Sequence, residues 1–187
     1  MTTHIALLRG INVGGAKRVP MADLRTLVGK LGYREVRTLL NSGNVVFTVP
    51  RGIRGAHHRR IEAAVLETTG VSCRITVMPA AELAGIVRDN PLAAVADNPS
   101  RMLVAILADA ASAELVRPLL AQDWAPDALA LGRRAAYLWC ATGLLESPLA
   151  DRLSRLLGDR VTTRNWATMQ KLNALAGGGG ATPDPTS

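Results

Sequence analysis

The hydrophobic pattern of this chain changes period in a fixed order, and that order occurs twice. Residues 5–8 are a short apolar run closed by Gly10, the mark of a buried strand. A loop over residues 10–19 follows. Pro20 then suits the first turn of a helix, where a missing N–H costs nothing. Leu24, Leu27, Val28 and Leu31 give that helix an i, i+3, i+4, i+7 stripe, and Gly32 is placed to end it. Residues 36–40 and 45–49 read as strands around Asn41-Ser42-Gly43-Asn44, a hairpin turn. Ile61, Val65 and Leu66 mark a second helix, Gly70 stops it, and residues 71–78 alternate as a strand. The order is β-α-β-β-α-β.

A connector comes next, with a helix over 80–88 and a loop bracketed by Asn90-Pro91 and Asn98-Pro99. The same order then returns. Residues 102–107 are a strand, and 110–121 a helix that Pro118 bends or shortens. Residues 128–131 and 135–141 pair around Gly132. Residues 146–157 are a helix with Leu149, Leu153, Leu156 and Leu157 on one side, and 159–163 supply the last strand. The expected fold is α+β: two tandem ferredoxin-like subdomains plus a C-terminal helix. The limits are a first subdomain over 1–79, a connector over 80–100, a second subdomain over 101–163, a helix over 164–176 and a flexible tail over 177–187. Each subdomain packs two helices on one face of an antiparallel sheet, so the opposite face needs a cover. No sequence identity links the two units; the repeat rests on element order.

Charge separates what the element order makes alike. The 187 residues hold 22 basic and 15 acidic side chains. Residues 1–60 carry eleven of the basic groups and only Asp23 and Glu35 as acids, a net +9, which leaves −2 for the remainder. Such a region concentrates anionic partners. Arginine outnumbers lysine 19 to 3, as a GC-rich genome produces, but that bias does not account for the missing acids. An apolar content of 48% excludes a disordered chain. Cys73 and Cys140 lack CxxC spacing and read as reduced thiols of a cytoplasmic protein. The apolar start at residues 5–8 is too short for a signal peptide, and no run approaches the ~20 residues of a membrane span, so no membrane partner is expected.

Loop 10–19 is the strongest candidate site. Gly10, Gly14 and Gly15 let backbone N–H groups converge on an anion, a helix N-terminus follows, and Arg9, Lys17 and Arg18 add charge. The loop falls one residue short of a Walker A sequence. Gly10 and Gly15 have the required spacing, but Ala16 stands where the lysine belongs and Arg18 where a magnesium-binding hydroxyl belongs. The same glycines also suit a tight turn that lets the helix dock closely, with Asn12 closing loop hydrogen bonds. Asn41, Ser42 and Asn44 offer amides and a hydroxyl at the hairpin tip, though Asn and Gly there equally serve the turn itself. Thr163 is a plausible N-cap for the final helix, which leaves Arg164 and Asn165 as a second anion-site candidate.

Other constellations say less. Tyr137 and Trp139 share a strand face with Arg133, which invites comparison with RNA-binding sheets, but no RNA-binding string accompanies them and a buried contact between the subdomains is the favoured expectation. His57 and His58 diverge on a helix and look like a solvated basic helix start that opposes the helix dipole. His4 is alone, and no metal-ligand spacing occurs, so no metal and no cofactor are expected.

Several strings together resemble a known family. They are Leu7-Leu8-Arg9-Gly10-Ile11-Asn12-Val13-Gly14-Gly15, then Pro20-Met21-Ala22-Asp23-Leu24-Arg25, then Asn41-Ser42-Gly43-Asn44-Val45-Val46-Phe47. With Thr162-Thr163-Arg164-Asn165-Trp166-Ala167-Thr168 and Lys171-Leu172, they resemble the bacterial family catalogued as domain of unknown function 1697, over residues 3–176. The resemblance implies a two-subdomain α/β protein and no established activity. The residues themselves favour a module that binds phosphate or another anion, either a phosphorylated small molecule or a nucleic-acid backbone, through Arg9, Gly10, Asn12, Gly14, Gly15, Lys17, Arg18, Asn41, Ser42, Asn44, Arg164 and Asn165. The alternatives are an enzyme acting on a small phosphorylated metabolite between the subdomains, and a protein-interaction module with an uncovered sheet face.

Overall fold

Successive side chains of a strand face opposite ways, and in the first strand both faces are buried: Ala6 and Leu8 on one, Ile5 and Leu7 on the other. A computed structural model describes residues 1–12, 18–95 and 97–177. Their contacts divide the chain into two units, residues 1–84 with the segment from Lys171, and residues 85–170. Among the described residues there are eight strands in two four-stranded antiparallel sheets, and six α-helices.

In the first unit the strands are β1 (Thr2–Arg9), β2 (Arg34–Leu39), β3 (Asn44–Val49) and β4 (Arg74–Pro79), in the order β2-β3-β1-β4. The helices α1 (Met21–Lys30) and α2 (His57–Thr69) lie against one face. Leu24, Leu27 and Val28 of α1, with Ile61 and Val65 of α2, meet Ala6, Leu8, Val45 and Phe47 of the sheet. Full burial of each such Leu, Ile or Val is worth about 1.5–3 kcal/mol. Ile5, Leu7, Val46 and Met78 on the second face are buried too. Leu66, expected on the inward stripe of α2, is half exposed, because the inward positions are taken by Ile61 and Val65. Residues 71–73 precede β4 instead of joining it: after the left-handed Gly70 (φ 69°), Val71 enters the core from a loop. Strand β2 is irregular. Its register slips between Arg34 and Arg37, and Glu35 sits at φ 51° with its carboxylate accepting from the Thr48 hydroxyl.

Strand directions sort the first unit into two ends. Thr2 pairs with Val49 and Arg34 with Thr48 at one end; Leu7 and Leu39 both lie opposite Asn44 at the other. The loop after β1 and the β2–β3 hairpin tip therefore share an end. The C-terminus of α1, the start of β2 and the start of α2 share the opposite one.

The second unit repeats the order with β5 (Met102–Leu107), β6 (Ala128–Leu131), β7 (Ala135–Trp139) and β8 (Val161–Asn165), arranged β6-β7-β5-β8. Its helices α4 (Ala110–Val116) and α5 (Pro148–Leu157) cover one face. Pro118 ends α4 as expected: residues Arg117–Ala121 continue as a 3-10 turn. Leu149, Leu153 and Leu157 of α5 are buried. Ser147 caps α5 by accepting from the Ala150 N–H at 3.0 Å and donates its own hydroxyl proton to buried Asp127 at 2.6 Å. The same carboxylate accepts from the Ala141 N–H, so one buried anion ties β6, the end of β7 and α5 together. Burial pushes the neighbouring Cys140 thiol up.

Two helices lie outside this repeat, α3 (Ala80–Arg88) after β4 and α6 (Trp166–Leu175) after β8. The expected start of the last helix at Arg164 is corrected. Arg164 and Asn165 are strand residues, opposite Val104 and Leu103 of β5, and Trp166 begins the helix. Its capping side chain is Asn165, whose Oδ1 accepts from the Thr168 N–H at 2.9 Å, not Thr163, which is still in the strand. The expected flexible tail lies outside the described residues from 178 onward.

Candidate functional site

Loop 10–19 leaves the sheet at Arg9 and returns at α1. Gly10 turns the chain at φ 70°, and Asn12 follows at φ 56°, a left-handed conformation that asparagine tolerates best after glycine. Ile11 and Val19, on either side of the loop, are both buried. The Asn12 side chain joins the two ends: its Oδ1 accepts from the Val19 N–H at 2.8 Å and its Nδ2 donates to the Val19 carbonyl at 3.0 Å. The same Nδ2 donates to the Asn41 carbonyl at 2.8 Å, reaching across to the hairpin tip.

The tip is held by close packing. Gly43 has φ 76°, and a Cβ there would stand 2.7 Å from Ile11 Cδ1 and from Leu8 Cβ, so only glycine fits. Its carbonyl accepts from the Leu8 N–H at 2.8 Å. Asn44 is fully buried, its amide donating to the Leu39 carbonyl and to Ser42 Oγ, both at 2.9 Å. Leu40, beside Asn41, takes φ 57° with its side chain half exposed.

Between loop, helix start and hairpin tip lies an open pocket of about 390 Å³. Among the described residues its lining is Asn12, Arg18, Val19, Pro20, Met21 and Asn41. Three expected site residues thus come together: Asn12, Arg18 and Asn41. Arg9, Gly10, Ser42 and Asn44 are not part of that lining, and Gly14, Gly15 and Lys17 lie outside the described residues. Arg9 stands opposite Arg74 across the β1–β4 pair, two like charges at this end of the sheet. Arg164 and Asn165 sit on β8 in the second unit. Asn165 is committed to its cap, and Arg164, pushed down to about 10 by burial, donates to the Thr163 carbonyl. It remains a cation at neutral pH.

Val19, Pro20 and Met21 line the pocket without having been singled out as site residues. The signal was present in Pro20 at the helix start, because the residues on either side of such a proline necessarily flank the preceding loop. The helix itself starts without a side-chain cap: Pro20 stands at the N-cap position, and the first intrahelical bond runs from the Leu24 N–H to the Pro20 carbonyl. The amides of the first turn therefore carry the positive end of the helix dipole uncompensated by any cap, with exposed Asp23 as the single acid there.

Tyr137 is nearly fully buried, its hydroxyl donates to the Ile86 carbonyl at 2.8 Å, and burial pushes it up to about 12. It packs and is not presented for stacking on a base. Arg59 and Arg60 are exposed as expected of a solvated helix start, while His57 is half-buried: its Nδ1 lies 2.9 Å from the Tyr33 hydroxyl, and its ring meets the His4 ring edge-on at 5.4 Å between centroids. Among the described residues no three metal-ligating side chains gather, and no helix is long and apolar enough to cross a membrane.

No curated protein matches the chain. Among solved structures, one from Streptococcus pneumoniae, the conserved bacterial protein SP0830, is 20% identical, covers 94% of this chain and 98% of its own, and superposes with a TM-score of 0.70. At that identity the likeness is one of fold. A family model described as a protein of unknown function, DUF1697, matches residues 1–137, which takes in the loop, the helix start and the hairpin but stops short of the Thr162–Leu172 strings. That match spans well over half of the sequence, and the chain belongs to the DUF1697 family.

Proposed function

We propose that the first unit binds a small phosphorylated or otherwise anionic ligand in the pocket between loop 10–19 and the hairpin tip. One observation carries this reading: a concave space opens at an uncapped helix start, with Arg18, Asn12 and Asn41 in its lining. First-turn amides and an arginine fork are complementary to phosphate oxygens. Pro20 and Met21 add an apolar wall that suits a ligand with a non-polar body. In this reading each unit is a ferredoxin-like βαββαβ fold, supported by the β2-β3-β1-β4 and β6-β7-β5-β8 orders.

Titration with inorganic phosphate, pyrophosphate and nucleoside monophosphates, followed by amide chemical shifts, tests it. Shifts should gather at residues 18–23 and 41 and vanish in Arg18→Ala. A tight ligand should also raise the melting temperature, by an amount corresponding to about 2.7 kcal/mol at a hundredfold excess over Kd. Asp23→Asn should tighten binding by removing the competing anion from the first turn. Shifts spread over the whole surface, or left unchanged in Arg18→Ala, would sink the assignment.

A further inference from the structure

Only part of the positive charge of the first unit belongs to the pocket end. Residues 1–84 hold twelve basic and five acidic side chains, while residues 85–170 hold nine of each. Within the first unit, six cations belong to the end away from the pocket: Lys30 at the end of α1, Arg34 at the start of β2, Arg51 and Arg54 in the loop after β3, and Arg59 and Arg60 in the first turn of α2. All six are exposed. Arg60 donates to the Leu31 carbonyl and lies over the Tyr33 ring, which fixes α2 beside the end of α1. Among the described residues, none of Lys30, Arg34, Arg51, Arg54 and Arg59 enters an ion pair. The one carboxylate on β2, Glu35, is held by the Thr48 hydroxyl.

This arrangement is costly in isolation. Cations on the first turn of a helix oppose its dipole, by roughly 0.3–1 kcal/mol per charge at exposed sites. The start of α2 has no acid in that turn and no side-chain cap at Ala56. An external anion relieves both the dipole and the mutual repulsion. Five of the six cations are arginines, which grip phosphate bidentately. They are spread over the ends of three consecutive elements, so they meet phosphates in a row better than one isolated headgroup.

We propose that this end of the first unit docks on the phosphate backbone of a double-stranded nucleic acid. The first unit's Tyr33 and Phe47 are both buried, which leaves no Phe, Tyr or Trp at this end for stacking unpaired bases. Contact is therefore with the backbone and independent of base sequence. Insertion into a membrane would want exposed apolar side chains beside the charges. Of the first unit's large exposed hydrophobic residues, Leu40 belongs to the opposite end and Leu66 to the last turns of α2, which leaves Met1, ahead of β1, as the single one at this end.

Fluorescence anisotropy with a labelled duplex of arbitrary sequence, in the full-length protein, tests the inference at several salt concentrations. Binding should weaken steeply with salt. Arg51→Ala with Arg54→Ala and Arg59→Ala should lower affinity at least tenfold and reduce the salt slope by about three, one for each lost phosphate contact. The matching triple lysine variant should keep most of the binding, which separates lost charge from lost fold. Arg18→Ala should leave duplex binding intact, so this result and that of the pocket stand or fall separately. The inference is overturned by absence of duplex binding at low salt, by binding that survives the triple alanine variant, by stronger binding to single strands, or by preference for vesicles containing phosphatidylserine.

Discussion

The two units share an element order and a strand order, yet they treat their helix starts and their charges in opposite ways. In the second unit, Asp109 caps α4, accepting from the Ser112 N–H and hydroxyl, and Ser147 caps α5. Those bonds hold the Asp109 carboxyl below its ordinary range. Three of the nine arginines of this unit are matched by a carboxylate close in sequence: Arg88 with Asp89, Arg117 with Glu114 and Arg155 with Asp151. In the first unit, Pro20 and Ala56 stand where caps would be, and among the described residues Lys30, Arg34, Arg51, Arg54 and Arg59 enter no ion pair. Exposed ion pairs are worth little for stability, so the contrast is not about folding strength. It shows that one unit satisfies its own polar groups while the other presents them outward, and recognition belongs with the second behaviour.

The largest expected effect separates the two hairpins. Gly43→Ala forces a positive φ on alanine and drives its Cβ against Leu8 and Ile11, and should cost about 3 kcal/mol in urea denaturation. Gly132→Ala meets the Tyr137 ring at 2.9 Å and the Ala135 carbonyl at 3.4 Å, with no positive φ to overcome, and should cost less, about 1–2 kcal/mol. Equal costs would break the idea that the first hairpin is the more rigidly specified. Caps give the next effect. Ser147→Ala removes a cap and leaves the buried Asp127 carboxylate one donor short, a loss of about 2 kcal/mol. Ala56→Ser should instead stabilise by about 0.5–1 kcal/mol, because it supplies what α2 lacks, and should weaken duplex binding. A destabilising Ala56→Ser would show that α2 is already satisfied by other means.

The smallest effect concerns acid. His57 is held below its ordinary pKa, first by burial and then by the nearby charges of His4, Arg60 and His58. The unfolded chain therefore binds a proton more readily than the folded one. His57 contributes nothing unfavourable above about pH 6.5, and stability falls as pH drops from there toward the lower folded value. His57→Gln should flatten that part of a pH–stability curve, read as thermal melts between neutral and mildly acidic pH. An unchanged slope would mean that the Tyr33–His57 contact does not exclude the proton.

Much of this fold was legible because local chemistry decided it. The leucines of α5, the hairpin at residues 41–44 and the helix stop at Gly70 follow from spacing and turn residues that sit side by side in the sequence. The last strand and helix were misplaced by two residues because Thr163 and Asn165 are both able caps. The pairing of Arg164 and Asn165 with β5, some sixty residues earlier, chooses between them. The site divides the same way. Asn12 and Arg18 could be read from a glycine-rich loop before a helix. The reach from Asn12 to the Asn41 carbonyl depends on two strands lying antiparallel, and so does the meeting of His4, Tyr33 and His57. The charge total was visible too, but which cations gather at one end is a matter of strand direction.

The irregularity of β2 has a consequence for the protein in concentrated solution. As the outermost strand of its sheet, β2 has one row of backbone groups with no neighbouring strand within that sheet. A regular, apolar edge of that kind recruits a strand from another molecule and seeds fibrous association. Here the slipped register at Glu35 disturbs the pleat, while Arg34 and Arg37 place two cations along the rim. An incoming strand would meet a bent template and repulsion from its own copy of those arginines. The edge strand β6, only four residues of alternating alanine and leucine, relies on shortness instead. At β2 and β6, one margin of each sheet is thus guarded against self-association by a different device, and straightening β2 by deleting Glu35 should favour aggregation.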